Sequence, residues 1–189
     1  PCGLKLKDLK KKLGILPQAK TIIISRGGRH EYAGIITCAV NIAHRHRDWF
    51  FIIAAGAGKD TGLCPLPLKR VCLDTKNVYV ARLAYPEFAS YLKDSDLSIS
   101  MSGYNTMVRL LLYAKNAIVV PAVNFEQEMN AKVLESFVRA RVLTADDINE
   151  KKLERLIKQR LERKSCRDPF PKSWFNGAGV TVSGICRVI

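Results

Sequence analysis

The sequence predicts an α/β protein, a three-layer Rossmann-like domain on a mostly parallel sheet of about six strands. Two observations predict this class. Short runs rich in β-branched and aromatic residues alternate with amphipathic helical stretches, and several of the runs lack the polar alternation of a half-exposed strand. Strand and helix in strict turn indicate right-handed βαβ units, hence an open, doubly wound sheet.

The predicted strands are short and apolar, as strands covered on both faces should be. They cover residues 21–25, 49–56, 77–83, 97–101, 117–122 and 140–143. The order of these runs along the chain, each followed by a helical stretch or a loop, is what favours a parallel sheet over an antiparallel one.

The helices are predicted from apolar residues that recur at i, i+3, i+4 and i+7. One helix is expected over residues 32–47, and three later ones around Met107, Leu134 and Leu156. Thr144, with Asp147 three residues on, has the form of a capping box, so it predicts the start of the last helix.

Length and composition indicate one sizeable core. The chain has 189 residues, of which 48% are hydrophobic and 25% charged, so we expect a single domain over residues 1–189. No apolar run approaches the roughly 18 to 20 residues that span a bilayer, and the first residues lack the apolar stretch of a signal peptide. The start at Pro1 rather than Met favours an excised part of something longer.

The six cysteines form no C-x-x-C pair. We interpret them as free thiols in a reducing compartment, and we expect the protein in the cytoplasm, with a peripheral place on the inner face of a membrane as an option. The histidines are too few and too scattered for a zinc site.

The formal net charge of the chain is +14, and either solvated helix faces or an anionic partner would account for it. Much of it lies in residues 5–12 and 151–164, which could be two solvated helix faces. The functional alternatives are nucleic acid, an anionic membrane surface or a phosphate-bearing ligand. Nucleic acid is the least favoured, because neither basic run contains the aromatic residues that stack on bases.

Candidate binding residues follow the predicted strands, because ligands of open α/β sheets lie beyond the carboxyl ends of the strands. Two glycine-bearing turns precede helices, where free N–H groups and the helix dipole favour a phosphate. They comprise Gly27 and Gly28 after the first strand, and Ser102, Gly103, Tyr104, Asn105 and Thr106 after the fourth.

Simpler explanations of these residues stay open. The two glycines are consistent with ordinary turn chemistry, and Asn105 or Thr106 with a plain N-cap. Glu126 suits paired ribose or sugar hydroxyls, but a glutamate in a first turn is also what the dipole favours. The pattern G-x-G-x-x-G is absent, which argues against a standard NAD-binding domain.

Residues 95–143 resemble the C-terminal, nucleotide-sugar-binding half of GT-B glycosyltransferases, in the group that contains the bacterial peptidoglycan N-acetylglucosaminyltransferase. Residues 21–28 resemble the first strand and glycine-rich loop of that family. The features that carry the resemblance are Asp96, the turn 102–106, Lys115, Val120–Pro121, Glu126–Gln127 and Asn130–Ala131.

The resemblance implies a role for each matching position. The two glycine-bearing turns would hold a diphosphate, the backbone at Leu83 and Ala84 would meet the base, Glu126 would take the ribose hydroxyls, and Gln127 would face the donor sugar. His30, beside this cleft, is a candidate to assist the leaving group. The family usually has Gly-Gly where this chain has Ser102-Gly103, which implies a more crowded approach to the phosphates.

The implied activity is transfer of a sugar from a nucleoside diphosphate donor, with uridine as the first choice of base, to an acceptor hydroxyl. In this family the acceptor lies in an N-terminal domain, so the resemblance implies that this chain carries the donor half, needs that domain or a separate subunit, and is inactive alone. We expect no cofactor and no metal, because the only Asp-x-Asp run, residues 94–96, leads into a strand. A nucleotide-sugar epimerase or hydrolase is the nearest alternative, and a basic non-catalytic binding module is the alternative from another class.

Overall fold

A computed structural model of the chain describes residues 4–25, 33–55, 75–113, 115–138 and 140–163. Every structural statement below concerns these ranges. Gly27, Gly28 and His30 lie outside them, so the roles predicted for these three residues stay predictions.

The centre of the structure is a six-stranded sheet in the order β3-β2-β1-β4-β5-β6, with every neighbouring pair parallel. This confirms the predicted Rossmann-like class. The observed strands agree with the predicted ones to within a few residues at each end, and they are β1 (Lys20–Ser25), β2 (Trp49–Ala55), β3 (Val78–Arg82), β4 (Leu97–Ser100), β5 (Ala117–Val119) and β6 (Ala140–Val142).

Helices cover both faces of the sheet. The helices are α1 (Leu6–Lys12), α2 (Ala33–Arg45), α3 (Tyr85–Asp94), α4 (Tyr104–Leu112), α5 (Phe125–Phe137) and α6 (Glu150–Leu161). Residues of α2 and α6 share one buried cluster with the sheet, and residues of α1, α3, α4 and α5 share the other. The three layers follow from these two clusters.

Alternate residues of each central strand enter opposite cores. Ile22 and Ile24 of β1 belong to the cluster with α2 and α6, whereas Ile23 belongs to the other, and all three are fully buried. Successive side chains of a strand point to opposite faces, so a strand covered on both sides favours apolar residues at successive positions. This explains the unbroken apolar runs of the sequence.

The strand order reverses between β1 and β4. The chain runs outward from β1 through β2 to β3, then returns to pair β4 with β1 and continues outward through β5 to β6. In the register of that central pair, Ser25 lies opposite Ser100 at the carboxyl ends. Loops that leave such a switch point diverge to opposite faces and open a crevice between them.

The opposite, amino edge of the sheet is braced by side chains. The Asp96 carboxylate accepts hydrogen bonds from the Thr21 backbone N–H at 2.8 Å and from Lys20 Nζ at 3.1 Å. Lys115 Nζ donates to the Ser95 carbonyl, and burial lowers the pKa of this lysine, an effect that the charges of Asp96 and Asp94 partly oppose. Asp96 and Lys115 both carried the family resemblance, and both serve the architecture of this edge.

The predicted start of the last helix is wrong. Thr144 Oγ1 does donate to Asp147 Oδ2, at 2.8 Å, but this contact closes a short 3₁₀ turn over Ala145–Asp147. Helix α6 begins three residues later at Glu150, where Asn149 is the N-cap and its Oδ1 accepts from the Lys152 backbone N–H at 2.9 Å. Two capping signals follow one another here, and the one adjacent to the apolar repeat starts the helix.

Candidate functional site

The loop after β4 enters α4 at the carboxyl edge, next to the switch point. Ser102 is fully buried, Gly103 is half-buried, and Tyr104 is 63% exposed at the first position of the helix. Gly103 is the N-cap residue and supplies no side-chain cap, so the alternative explanation of Asn105 or Thr106 as the N-cap is wrong. The first N–H groups of the helix therefore need acceptors other than a side-chain cap.

Helix α5 holds this loop in place. Ser102 Oγ donates to the Gln127 carbonyl at 2.7 Å, and Asn130 Nδ2 donates to the Ser102 carbonyl at 2.8 Å. The Ser102 hydroxyl therefore ties the loop to the protein, and any contact of this residue with a diphosphate falls to its backbone. The predicted diphosphate role of Ser102 stays a prediction in that form.

The Glu126 carboxylate lies at the start of α4. Its Oε1 accepts from the Tyr104 backbone N–H at 3.3 Å and from Asn130 Nδ2 at 3.4 Å. An exposed carboxylate thus lies where the helix dipole and the first N–H groups favour an anion. The structure brings together two predicted parts of the site, Glu126 and the 102–106 segment.

Gln127 shapes the turn between β5 and α5. Its Oε1 accepts from the Ala122 backbone N–H at 2.9 Å, and its own backbone N–H donates to Asn124 Oδ1, the N-cap of α5, at 2.9 Å. The side-chain oxygen is thereby engaged within the protein. The contact with a donor sugar that the resemblance implies for Gln127 stays a prediction.

The predicted base-binding residues lie between β3 and α3, at the carboxyl edge of the sheet. Leu83 is buried at the end of β3, and the exposed Ala84 is the N-cap of α3. The Arg109 guanidinium of α4 lies 4.5 Å from the centroid of the Tyr85 ring, a cation–π distance. This contact packs the start of α3 against the last turn of α4, and the base-binding role of Leu83 and Ala84 stays a prediction.

Gly103 has room for a side chain in the protein by itself. Its φ is −60°, and a Cβ added there would meet no heavy atom within 4 Å. Neither backbone strain nor packing therefore requires glycine at this position. A ligand that approaches the helix start closely would supply such a requirement.

Two side chains of the site, those of Asn124 and Asn130, make contacts for which the sequence predicted no role. Asn130 joins Glu126 to the Ser102 carbonyl, and Asn124 caps the helix that presents both Glu126 and Gln127. Asn130 follows Glu126 by four residues, which places the two side chains on one helix face. An asparagine just before an apolar helical stretch is itself a start signal that points to Asn124.

Other chemistry of the described residues is limited. Within the ranges given above, no group of three or more His, Cys, Asp or Glu side chains is arranged to hold a metal ion, and no helix has the length and apolar character to cross a membrane. Of the six cysteines only Cys38 falls in these ranges; it is a free thiol, and burial raises its pKa.

Solved structures similar in fold are glycosyltransferases and nucleotide-sugar epimerases. The UDP-GlcNAc 2-epimerase of Neisseria meningitidis, bound to UDP-GlcNAc, matches with a TM-score of 0.66 and 16% identity over 96% of this chain and 50% of its own. MurG of Acinetobacter baumannii matches with a TM-score of 0.60 and 15% identity over 81% of this chain and 44% of its own. The glycotransferase of kitacinnamycin matches with a TM-score of 0.58 and 17% identity over 77% and 36%.

The chain therefore spans about a third to a half of the solved proteins that it matches, and identities this low show the fold alone. A comparison with curated protein sequences finds no match. The profile of the glycosyltransferase family 28 C-terminal domain, by contrast, matches residues 35–173, well over half of the chain. That match confirms the resemblance carried by residues 95–143, and the chain belongs to the glycosyltransferase family 28 C-terminal domain.

Proposed function

We propose that this domain binds a nucleoside diphosphate sugar, with UDP as its nucleotide, and presents it for transfer of the sugar to an acceptor hydroxyl. The observation that carries the proposal is the start of α4, which lies at the strand-order reversal with a carboxylate already on its first amide. The family match supports a sugar donor as the ligand. The choice of UDP as the nucleotide is supported by the sequence resemblance and by the epimerase of similar fold, which was solved with UDP-GlcNAc.

The proposed parts of the ligand follow the order of the loops. The diphosphate lies against the amides of Gly103, Tyr104 and Asn105 and beside Thr106, facing Gly27 and Gly28, and the base meets the backbone at Leu83 and Ala84. Glu126 binds the ribose hydroxyls after leaving the Tyr104 amide. Gln127, through the rest of its amide group, faces the sugar.

In the proposed reaction the bond between the sugar C1 and the diphosphate oxygen breaks, and the acceptor oxygen forms the new bond to C1. The bonding electron pair leaves with the diphosphate, and the acceptor proton passes to a base outside this domain. The helix start stabilises the negative charge that grows on the diphosphate, which is the usual means of electrostatic catalysis. His30 is proposed to assist the departing phosphate, and no cofactor or metal ion is invoked.

The acceptor site is proposed to lie in another domain or subunit. What supports this is that the chain spans at most half of the solved proteins described above. We accordingly expect this chain alone to bind the donor and to transfer nothing.

A nucleotide-sugar epimerase or hydrolase is the second candidate. The observation in its favour is the epimerase match, which extends over 96% of the chain. Both candidates share the donor site, so a nucleotide-binding measurement tests them together. They differ in whether this domain, joined to the rest of its enzyme, consumes the nucleotide sugar when no acceptor is present.

Calorimetric titration of the chain with UDP, GDP and CDP tests the donor site, with uridine and pyrophosphate as the two partial ligands. We expect UDP to bind more tightly than either partial ligand, since it reaches the α4 start and the Ala84 region at once. Failure of every nucleotide to bind at millimolar concentration would contradict the proposal.

The proposed location is the cytoplasm, at the inner face of a membrane. The net charge of +14 supports an anionic surface as a partner, because such a leaflet attracts clustered basic residues. Fractionation of cells that express the protein, with and without a high-salt wash, tests this location.

A further inference from the structure

The amino-terminal residues of the described chain form an exposed surface of leucines and lysines. We define this leucine–lysine surface by Leu4, Lys5, Lys7, Lys11, Lys12, Leu13 and Leu16. The three leucines are 46%, 37% and 53% exposed, respectively, and all four lysines are exposed. Leucines are ordinarily buried, and three of them among lysines within thirteen residues call for an explanation.

A helix-ending turn sets the position of Leu16. Gly14 has a φ of +66°, the left-handed conformation that glycine adopts without strain. The Gly14 N–H donates to the Lys11 carbonyl at 3.2 Å and the Ile15 N–H to the Lys10 carbonyl at 2.9 Å, which is the hydrogen-bond pattern of a Schellman motif. The chain therefore reverses sharply after α1 and returns alongside it.

Lys10 fastens the returning segment to α1. Its Nζ donates to the Ala19 carbonyl at 2.6 Å and to the Pro17 carbonyl at 3.3 Å. Burial lowers the pKa of this ammonium, against the opposing effect of the Asp96 charge. Leu6 and Leu9 anchor the other side of α1 in the core. The leucine–lysine surface is thus displayed on a fixed support.

A groove of about 800 Å³ runs between α1 and the returning segment. Its lining includes Leu16 and Pro17, and the exposed lysines Lys5, Lys7 and Lys11 there outnumber the two acids, Asp8 and Asp94. Apolar and cationic groups therefore face the same space, which is the arrangement of a surface that meets lipid headgroups and the upper part of acyl chains together.

The other basic helix, α6, differs from this surface mainly in having no exposed leucines. Two of its cations are paired with acids: Lys158 with Glu154 at 2.8 Å, and Lys152 with Asp147 at 2.7 Å. None of the ion pairs among the described residues involves Lys5, Lys7, Lys11 or Lys12. The exposed large apolar side chains of the described ranges include none from α6.

We propose that the leucine–lysine surface binds an anionic lipid bilayer, with its leucines in the interfacial layer and its lysines on the lipid phosphates. Among the described residues these four lysines have no ion-pair partner and the three leucines are exposed, and an anionic bilayer satisfies both. RNA is the poorer occupant because the surface has no aromatic residue to stack on a base. The surface precedes β1 at the amino edge of the sheet, whereas the candidate site lies at the carboxyl edge, so lipid binding stands independently of sugar transfer.

Co-sedimentation with vesicles tests the proposal. We expect the full chain to bind vesicles of about one-third phosphatidylglycerol in phosphatidylcholine and to bind phosphatidylcholine alone far more weakly, with salt weakening the former. Lys7→Glu with Lys11→Glu should lower the partition coefficient at least tenfold, since each cation near such a surface contributes about fivefold. Leu16→Ser should lower it severalfold at any salt concentration.

The matched control is Lys151→Glu with Arg155→Glu on α6, which makes the same change in net charge at the same spacing. This control should retain most of the binding. An equal loss of vesicle binding in the two double variants would overturn the proposal. So would equal binding of the full chain to neutral and anionic vesicles, or preferential binding of single-stranded RNA over anionic vesicles. UDP titration of each variant separates the two questions, because the variants should keep the UDP affinity of the parent protein.

Discussion

The carboxylate of Glu126, on α5, accepts a hydrogen bond from the backbone N–H of Tyr104, the first residue of α4, at 3.3 Å. The protein thus places one of its own anions where its candidate ligand would place a phosphate. Entry of a diphosphate requires this carboxylate to move, and the ribose hydroxyls of a nucleotide offer it a new partner that free pyrophosphate lacks.

Glu126→Gln is therefore expected to act in opposite directions on two ligands. Pyrophosphate should bind about three- to tenfold more tightly, because one negative charge is removed from a partly exposed anion site. UDP should bind more weakly, because the amide is a poorer acceptor for two hydroxyls. Calorimetry with both ligands measures this, with Glu128→Gln in the same helix turn as control, and weaker binding of both ligands would show that Glu126 does not compete for the site.

Gly103→Ala is expected to leave the fold intact and to weaken UDP binding. Among the described residues, apart from its chain neighbours, the added methyl group meets no atom within 4 Å at an ordinary φ of −60°, so thermal unfolding should be unchanged or slightly improved. A diphosphate on the helix start would meet that methyl group. Calorimetry and a melting curve on the same sample provide the measurement, and unchanged UDP affinity would remove Gly103 from the ligand contact.

The glycine at 14 is the internal contrast. Gly14→Ala places a side chain at a φ of +66°, and it should lower the unfolding free energy by about 1 kcal/mol. UDP affinity should stay the same, because Gly14 follows α1 at the other edge of the sheet.

Asn130→Ala is expected to loosen the loop that opens the site. The change removes the hydrogen bond to the Ser102 carbonyl and should cost about 1 kcal/mol of unfolding free energy. UDP binding should weaken severalfold, since the segment that begins α4 loses one of its three hydrogen bonds to α5. Lys132→Ala on the exposed side of α5 is the control, and a loss of stability without any change in UDP affinity would limit Asn130 to a structural role.

Acid should weaken the contact between α2 and α6 through Glu154. Hydrogen bonds from Lys158, His46 and Arg45 lower the pKa of this carboxyl from 4.5 to about 2. A depressed carboxyl pKa stabilises the fold fully above pH 4.5 and loses that effect as pH falls toward 2. Glu154→Gln should lower the unfolding free energy at neutral pH by about 1 kcal/mol, the size typical of partly exposed ion pairs. The variant should also lose less stability than the parent protein as the pH falls from 4.5 toward 2.

Chemical unfolding of both proteins at a series of pH values measures the effect. Glu162→Gln, an exposed glutamate at the end of the same helix, is the control and should follow the parent protein. A Glu154→Gln variant whose stability falls as steeply with acid as that of the parent protein would assign the acid sensitivity elsewhere.

The sequence predicted the sheet well because the evidence was local. Ile22, Ile23 and Ile24 are all buried, one to each side in turn, and only a strand covered on both faces accommodates such a run. The placement of Glu126 and the 102–106 segment near one another followed from a general property of parallel sheets, that strand ends on one edge collect the loops.

What the sequence could not supply depended on contacts between distant residues. The Ser102 hydroxyl is bound by a carbonyl 25 residues away, which no spacing rule anticipates. Helix α3 was absent from the predicted helices, although Phe88, Tyr91 and Leu92 have helical spacing and Pro86 lies in the first turn, because ten residues give too few repeats to stand out. The α6 boundary failed for the opposite reason, since Thr144 and Asn149 are both valid caps.

The donors at the start of α4 belong to the main chain, as the hydrogen bond from Tyr104 to Glu126 illustrates. Alanine scanning replaces side chains and leaves every one of those N–H groups in place, so a scan of residues 104–106 would report little even at the centre of a binding site. Replacing the Tyr104 amide by an ester, through chemical ligation, removes the donor itself. For the same reason, substitutions of the side chains in this turn can accumulate among related proteins while the backbone donors stay constant.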